Sequence, residues 1–500
     1  MNADWPCHML SDFITIKHGY AFKGEYFVDQ ATPDCLVTPG NFLIGGGFKA
    51  DKLKYYQGPV PDEYVLQPGD LIVTMTDLSK QADTLGYSAL VPDLPDTRLL
   101  HNQRIGLVKL NSDKLHPDYL YFLLRSSEYR HHVVSSATGS TVKHTSPTKI
   151  ASFEFQLPSL SVQKAVAETL LALEKKTQLN HQINQTLEQM AQAIFKSWFV
   201  DFEPVKAKIA ARERWHTLQQ GNEFASPAYY AGELADQPTN IDLETYMNHA
   251  AMEAVSGKDA EQLALMQVEK PEEYAELYAT AELFPSAMQD SELGEIPEGW
   301  EILKLSNIVD LIGGGTPKKS EPSYWGGNIC WFSVKDAPSE GNVFVIDTEE
   351  KITAAGLHGS STRLLPIGTT IITARGTVGK LALTGVETAM NQSCYGIVGN
   401  DGTGPYLNYL RLNQAVETLK RNTHGAVFDT ITRSTFDTVV QPRATLAIRN
   451  KFEEAVRPLF EAIRCNLHQI VMLSGIRDTL LPKLLSGELS VADIESEVEA

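Results

Sequence analysis

Two stretches of the chain carry apolar residues at a regular seven-residue spacing. The two sets of positions are Val166, Leu173, Asn180, Leu187 and Ile194, and Phe452, Leu459, Asn466, Leu473 and Leu480. Each set has an asparagine at its centre, and a single offset of 286 residues superposes all five positions. Because a seven-residue apolar repeat is typical of long paired helices, the pattern predicts two such helices, over residues 159–200 and 444–488.

The region before each helix contains short β-like runs separated by turn residues. These runs include LIVTM at 71–75, IGLVKL at 105–110, TTIITA at 369–374 and YGIVGN at 395–400. The dipeptide Asn-Gln occurs in both halves, at 102–103 and at 391–392. We therefore predict an α+β fold with a pseudo-two-fold internal repeat, in which mixed α/β domains over 1–158 and 295–443 each precede a long helix.

A helix of about forty residues is a rod of roughly 60 Å, and a rod of that length needs a packing partner. The nearest partner is the other copy, and pairing of Asn180 with Asn466 would fix the register. The alternative is that each helix packs only on its own domain. Thr169, Lys176 and Gln469 make the seam uneven, which fits helices that also face a further protein and equally fits a loosely packed ordinary pair.

Acidic residues are concentrated between the halves. Residues 201–290 hold 17 Asp and Glu against 6 Lys and Arg, so this segment carries −11 of the net charge of −19. The composition predicts a helical connector over 201–294 with solvated acidic faces; contact with a basic partner surface, or screening of a basic groove, is the alternative. The chain-wide charge therefore weighs little against a DNA partner. Residues 489–500 are taken as a tail.

The remaining composition narrows the class of protein. Five scattered cysteines, without CxxC spacing or a histidine cluster, indicate a reducing compartment and no zinc site. We expect a cytoplasmic protein without a membrane span, because no signal-like segment and no long apolar run are present. The proline-aromatic tetrapeptide of DNA methyltransferases, a P-loop and the HExxH motif are all absent from the sequence. These absences favour a binding protein over an enzyme.

Loops at corresponding places in the two halves combine amide, basic and aromatic residues, which suit base-edge and phosphate contacts. The candidate DNA-binding residues are Lys17, His18, Tyr20, Lys23, Gln103, Arg104, Ser140, Thr141, Lys143 and His144 in the first half, and Lys318, Lys319, Tyr324, Arg375, Asn391, Gln392 and His424 in the second. Any single member is equally well explained as a solvated loop residue. Recurrence of Asn-Gln in both halves also fits a role in maintaining the fold.

The chain resembles the specificity subunit of Type I restriction-modification systems along nearly its whole length. The resemblance rests on the repeat, on WFVDFEPV at 198–205, on GEIPEGW at 294–300 and on RDTLLPKLLSGEL at 477–489. It implies two target-recognition domains separated by an antiparallel coiled-coil pair of long helices. Each domain would read one half of an asymmetric, bipartite site in double-stranded DNA, and the helices would act as a ruler between the half-sites.

The resemblance also implies the partners. The subunit would have no catalytic activity and would bind no cofactor itself. It would dock two methylation subunits through the conserved helices and the middle region, with the ten heptad positions above at the helix-pair and subunit interface. This would give an adenine-N6 methyltransferase, and restriction subunits would add an ATP-dependent endonuclease. S-adenosylmethionine, ATP and Mg²⁺ are expected on those partners. The alternatives are a protein scaffold that does not touch DNA and a stand-alone DNA-modifying enzyme.

Overall fold

A computed structural model describes residues 5–50, 53–79, 81–140, 142–220, 242–339, 341–422 and 430–492. The chain divides into two units. The first comprises Met1–Gln178 with Val471–Ala500, and the second comprises Leu179–Ile470. Thr141 and His424, two of the candidate DNA-binding residues, lie outside the described residues.

The first unit is built from twelve described strands and short helices. Its strands are β1 Cys7–Met9, β2 Ile14–His18, β3 Phe27–Val28, β4 Asp34–Val37, β5 Lys54–Tyr56, β6 Leu71–Thr74, β7 Thr76–Asp77, β8 Ser88–Leu90, β9 Arg98–His101, β10 Ile105–Leu110, β11 Lys143–His144 and β12 Glu154–Gln156. Its short helices are α1 Pro117–Leu123, α2 Ser127–Ser135 and α3 Pro147–Ala151. The two larger sheets have the strand orders β2-β10-β6-β8 and β3-β5-β4-β9, and the pairs β1-β12 and β11-β7 complete the unit.

The apolar runs of the sequence become the interior strands of this unit. All four residues of β6 are buried, as expected for a strand covered on both faces. Helix α1 begins with Pro117 in its first turn, where a missing N–H costs nothing, and buries Tyr119 and Phe122 in the main core. The same core takes in Val166 and Leu485 from the long helices.

The long helices are α4, Leu160–Phe199, and, at the other end of the chain, a helix over Leu446–Ser486. The second unit begins inside α4 and continues through α5 Glu203–Gln220, α6 Leu243–Ser256, α7 Ala260–Glu269 and α8 Pro271–Glu282. The predicted acidic connector is therefore helical over most of its described residues, but its end is not, because Met288–Ser291 is a strand that pairs with Gly294–Pro297. Asp242 and Asp259 cap α6 and α7 by accepting hydrogen bonds from backbone N–H groups.

The remainder of the second unit repeats the mixed α/β plan. Its elements are β13 Met288–Ser291, β14 Gly294–Pro297, β15 Glu301–Lys304, α9 Leu305–Ile308, β16 Val309–Gly313, β17 Trp325–Phe332, β18 Phe344–Val345, β19 Lys351–Ile352, α10 Ala354–His358, β20 Thr370–Thr373, β21 Leu381–Thr384, β22 Thr388–Met390, β23 Cys394–Gly399, α11 Pro405–Arg421, α12 Arg433–Phe436, β24 Val440–Arg443 and α13 Leu446–Ser486. The larger sheets are ordered β16-β23-β20-β21-β18 and β19-β17-β22, beside the pairs β15-β24 and β13-β14.

Helices α4 and α13 pack together in antiparallel orientation. In the second unit, Asn180 Nδ2 donates to Gln469 Oε1 at 3.1 Å, and Asn466 Nδ2 donates to Asn184 Oδ1 at 2.9 Å. The predicted direct pairing of Asn180 with Asn466 is therefore wrong. The stagger of the helices places Gln469, one of the polar residues that make the seam uneven, opposite Asn180. The mixed α/β domains and the paired long helices predicted from the sequence are confirmed.

Seven of the ten heptad positions lie along the edge of the buried stripe rather than at its centre. Val166, Asn180 and Phe452 are buried, whereas the other seven are half-buried. The centre of the stripe follows a 3.6-residue period, through residues such as Phe195 and Phe460. Strict heptads drift around a straight helix, and the sequence pattern therefore marked the helices better than it marked their core.

Candidate DNA interface

Three strands of the first unit end or begin at one edge of their sheet. Strand β10 begins at Ile105, which pairs with Thr74 at the end of β6, and its Gly106 pairs with His18 at the end of β2. The loops that carry His18, Tyr20, Gln103 and Arg104 therefore meet there. The second unit repeats this edge, because Gly313, at the end of β16, and Thr373, at the end of β20, pair with the first residues of β23.

A glycine at each edge is required by close backbone contact. A Cβ atom on Gly19 would lie 2.1 Å from the backbone oxygen of Asn102, and one on Gly314 would lie 1.9 Å from that of Asn391. A backbone oxygen has little room to move, so no larger residue fits at these positions without displacing the turn. The two units thus share the same constraint at the same place.

The recurring Asn-Gln pair divides into a residue that supports the turn and a residue that faces solvent. Asn102 Oδ1 accepts from the backbone N–H of Arg104, and Asn391 Oδ1 accepts from that of Ser393, both at 2.9 Å. These contacts are turn closures. Gln103 and Gln392 are exposed beside them, and Gln392 contacts the Thr316 hydroxyl.

Two of the predicted cations are engaged within the chain. Lys17 Nζ donates to Glu63 Oε2 at 2.8 Å and lies 4.4 Å from the centre of the Tyr64 ring. Lys319 Nζ donates to Glu350 Oε1 at 3.1 Å and lies 5.1 Å from the centre of the Trp325 ring. Ion pairs of this exposed kind contribute little to stability, so a phosphate can compete for either lysine.

His101 is a buried titratable group at the edge of the first unit. Burial lowers the pKa of its imidazole, and the nearby Lys17 acts in the same direction. The Nε2–H donates to the backbone oxygen of Ile105 at 2.9 Å. The ring is therefore neutral at physiological pH and supports the turn rather than adding positive charge.

Strand β11 brings Lys143 and His144 to the same edge. Lys143 pairs with Asp77, and His144 Nδ1 lies 3.2 Å from the Thr76 hydroxyl. Although burial opposes it, hydrogen bonds from Ser79 and Thr84 lower the pKa of Asp77. Asp77 is thus an anionic anchor for the loop that follows it. Sequence reasoning missed this role, although an Asp two residues before a Ser is a signal for such a turn.

In the second unit, Arg375 is exposed directly after the edge. The neighbouring Ala374 donates its N–H to Ser393 O at 2.7 Å and accepts from Ile431 N at 3.0 Å. Arg363 is also exposed, next to Thr362, whose hydroxyl donates to Met390 O at 2.8 Å. Sequence reasoning did not select Arg363, because only the folded chain brings it beside the Asn391 turn.

For four other predicted residues, the described part of the chain shows no hydrogen bond or ion pair to these edges. Lys23 is exposed, and its Nζ lies 3.8 Å from Glu25 Oε1. Ser140 is also exposed, directly after Gly139. Lys318 is exposed and its carbonyl accepts from the Trp325 indole. Tyr324 packs against the end of α10, because a Cβ atom on Gly359, the residue after the helix, would lie 2.6 Å from the Tyr324 hydroxyl.

Neither a metal centre nor a membrane anchor stands out in the described ranges. Across them, no three His, Cys, Asp or Glu side chains are grouped so as to hold an ion. None of the helices they contain combines the length and apolar character needed to cross a bilayer.

Comparison with known proteins gives consistent matches. A family model described as the Type I restriction modification DNA specificity domain matches residues 3–189 and 297–439. The specificity subunit of the Type I restriction enzyme HindI from Haemophilus influenzae is 30% identical over 393 residues, which cover 77% of this chain and 80% of that protein. The MjaIX specificity subunit of Methanocaldococcus jannaschii is 31% identical over 156 residues, covering 31% of this chain and 36% of that protein.

A solved structure also aligns with nearly the whole chain. The crystal structure of the Type I restriction-modification S subunit from M. genitalium covers 97% of this chain and 96% of its own, at 13% identity and a TM-score of 0.48.

Proposed function

The chain belongs to the family of Type I restriction-modification DNA specificity subunits, and from that premise we propose that it reads a bipartite, asymmetric site in double-stranded DNA. It is the non-catalytic, DNA-recognising subunit of its system. The observation that carries the proposal is the pair of sheet edges, which share one backbone frame and present different side chains. Each edge would face one half-site.

The chemistry of the two edges supports base and phosphate contacts. Guanidinium groups suit guanine and carboxamides suit adenine in the major groove. The first edge exposes Gln103 and Arg104, and the second exposes Gln392, Arg375 and Arg363. The two glutamines are alike, but Arg104 is matched by Ser393 and the second edge carries its arginines on other loops, so the two half-sites are expected to differ in sequence.

Apolar faces on the long helices support docking of methylation subunits. In the second unit, Leu179, Ile183 and Met190 share one face of α4 and are 48%, 37% and 48% exposed. In the first unit, Met472 and Ile476 of α13 are 66% and 41% exposed. Apolar stripes of this kind on charged helices indicate protein contacts. One such face in each unit suits two methylation subunits, while the heptad positions flanking the buried stripe remain predicted contacts.

The rest of the complex follows from the family. Restriction subunits would join the assembled methyltransferase in the cytoplasm. S-adenosylmethionine, ATP and Mg²⁺ would be held by the partners, which would carry out adenine-N6 methylation and cleavage. A protein scaffold without DNA readout is the alternative that the test below excludes.

The test is co-expression of the chain with the methylation subunit of its own operon, followed by methylation profiling of the host genome. One bipartite motif with unlike halves is expected. Arg104→Ala and Arg375→Ala should each relax a different half-site, because a guanidinium that contacts a base edge carries sequence information. Methylation without a motif, or relaxation of the same half-site by both variants, would refute the proposed reading.

The docking surface is tested in the same system. Ile183→Asp and Met472→Asp should reduce co-purification of the methylation subunit, because a desolvated carboxylate is costly in an apolar contact. Gln178→Asp adds the same charge elsewhere on α4 and should leave co-purification unchanged. Equal loss with all three variants would show that charge on the helices, and not the apolar face, controls assembly.

A further inference from the structure

A cavity of about 440 Å³ opens on the second unit where the end of α4, helix α11 and strand β24 meet. This volume is in the range of small-ligand sites. Its wall is largely apolar, with the rings of Phe195, Phe199 and Phe202 on one side. Arg411 and Gln441 supply polar groups, and the exposed Glu295 also lines it.

Arg411 is 5% exposed, and its Nη1 has no hydrogen-bond partner among the described residues. Burial lowers its pKa to about 10, so the guanidinium stays charged at neutral pH. Its nearest compensating charge, Asp401, is shared: Asp401 Oδ2 lies 2.8 Å from Arg449 Nη1 and 3.9 Å from Arg443 Nη1. Arg443 Nη2 also pairs with Glu301 Oε2 at 2.6 Å, so three guanidinium groups face two carboxylates, which leaves one excess positive charge beside the cavity.

Gln441 supplies a hydrogen-bond acceptor next to this cation. Its Nε2 donates to the backbone oxygen of Arg411 at 3.3 Å, which fixes the orientation of the amide. Its Oε1 is buried without a partner in the described part of the chain. Buried polar atoms are nearly always satisfied, and this pair calls for a ligand with one anionic acceptor and one donor.

We propose that the cavity binds an N-acylated α-amino acid with an apolar side chain, the chemistry of a peptide C-terminus. The carboxylate accepts from Arg411, the amide N–H donates to Gln441 Oε1, and the side chain packs against the three phenylalanine rings. A carboxylate is the natural match for a guanidinium because it can accept two parallel hydrogen bonds. Glu295 disfavours a second negative charge on the ligand. The site is separate from the DNA edges and does not depend on the proposed reading of DNA.

The test is a titration of the full chain with N-acetyl-L-phenylalanine and with its carboxamide, followed by calorimetry. Saturable binding of the acid is expected at about millimolar affinity, roughly tenfold tighter than the carboxamide. A longer acylated peptide ending in phenylalanine distinguishes the sources: tighter binding than the single residue indicates a protein C-terminus, and equal or weaker binding indicates a small acylated amino acid. Equal binding of acid and carboxamide, or no saturable binding of either, overturns the proposal.

Variants assign the contacts. Arg411→Met should abolish the preference for the acid, and Gln441→Leu should weaken binding of both compounds. Arg421→Met removes an exposed arginine from the same helix and should change neither. Unfolding curves of each variant accompany the titrations, and the comparison of acid with carboxamide on the unaltered chain decides the proposal even if a variant does not fold. An unchanged preference in folded Arg411→Met refutes the site.

Discussion

Glu174 offers the sharpest test of how the first recognition domain is held on α4. Its carboxylate accepts from the Tyr121 hydroxyl at 3.0 Å and from Arg125 Nη1, and Arg477 Nη1 lies at 3.6 Å. The Arg125 side chain is 2% exposed and that of Glu174 is 22% exposed. Glu174→Gln would leave the Arg125 charge buried without its counter-ion.

The expected cost follows from burial. Removing one partner of a fully buried ion pair costs about 3–5 kcal/mol. Because Glu174 is partly exposed and glutamine keeps one acceptor oxygen, we expect about 2 kcal/mol. Arg125 Nε also donates to Gly45 O at 2.7 Å, so the loss should loosen the loop over residues 43–47.

Amide hydrogen exchange reads this loop directly. Gly46 N and Gly47 N donate to Leu43 O and Ser88 O at 3.0 and 2.8 Å, respectively. If the loop opens locally, their protection should fall roughly 30-fold in Glu174→Gln, as 2 kcal/mol implies. Glu168→Gln changes an exposed carboxylate of the same helix and should leave protection unchanged. Equal protection in both variants would refute the claim that the Glu174 contacts hold the loop.

Two further predictions concern the connector and the sheet edges. Lys208 is 4% exposed, donates to Phe284 O at 2.7 Å, and has its pKa lowered by burial to about 8. The unfolded lysine binds more protons between about pH 8 and 10.5, so the free energy of unfolding should rise with pH across that window by up to about 3 kcal/mol. Urea unfolding should show this rise relative to Lys208→Met, and parallel pH profiles would contradict it. Gly19→Ala and Gly314→Ala should each cost about 3 kcal/mol or more, because the new Cβ meets a backbone oxygen, and each should impair methylation. Gly24→Ala and Gly313→Ala, whose Cβ atoms meet nothing within 4 Å, should be tolerated in thermal unfolding, and an equal loss in all four would refute the steric argument.

The sequence predicted the parts of the fold that depend on local periodicity. Both long helices and the buried strands follow from patterns within a few turns or residues of one another. The register of the helix pair could not be predicted in this way. The contact of Asn180 with Gln469 depends on the stagger between two helices, and these residues are 289 positions apart in the sequence. The ion pair of Lys17 likewise depends on Glu63, which is 46 residues away in the sequence. The predicted site therefore differs from the observed one mainly in contacts between residues far apart in the sequence, and less in the types of helices and strands.

The duplication explains why the frame recurs while the readers differ. Met75 N donates to Arg104 O in the first unit, and Ala374 N donates to Ser393 O in the second, so Arg104 and Ser393 occupy equivalent places.

Tyr64 and Arg363 are equivalent as well, since each stands two residues before a residue whose N–H donates to the neighbouring strand, Leu66 N to Leu99 O and Leu365 N to Thr388 O. The glycines at the turns cannot change without moving a backbone oxygen, whereas the side chains of Arg104 and Arg363 are exposed and meet no such constraint. The two sheet edges can therefore share one backbone conformation while carrying arginines on different loops. A protein built in this way is suited to two unlike half-sites.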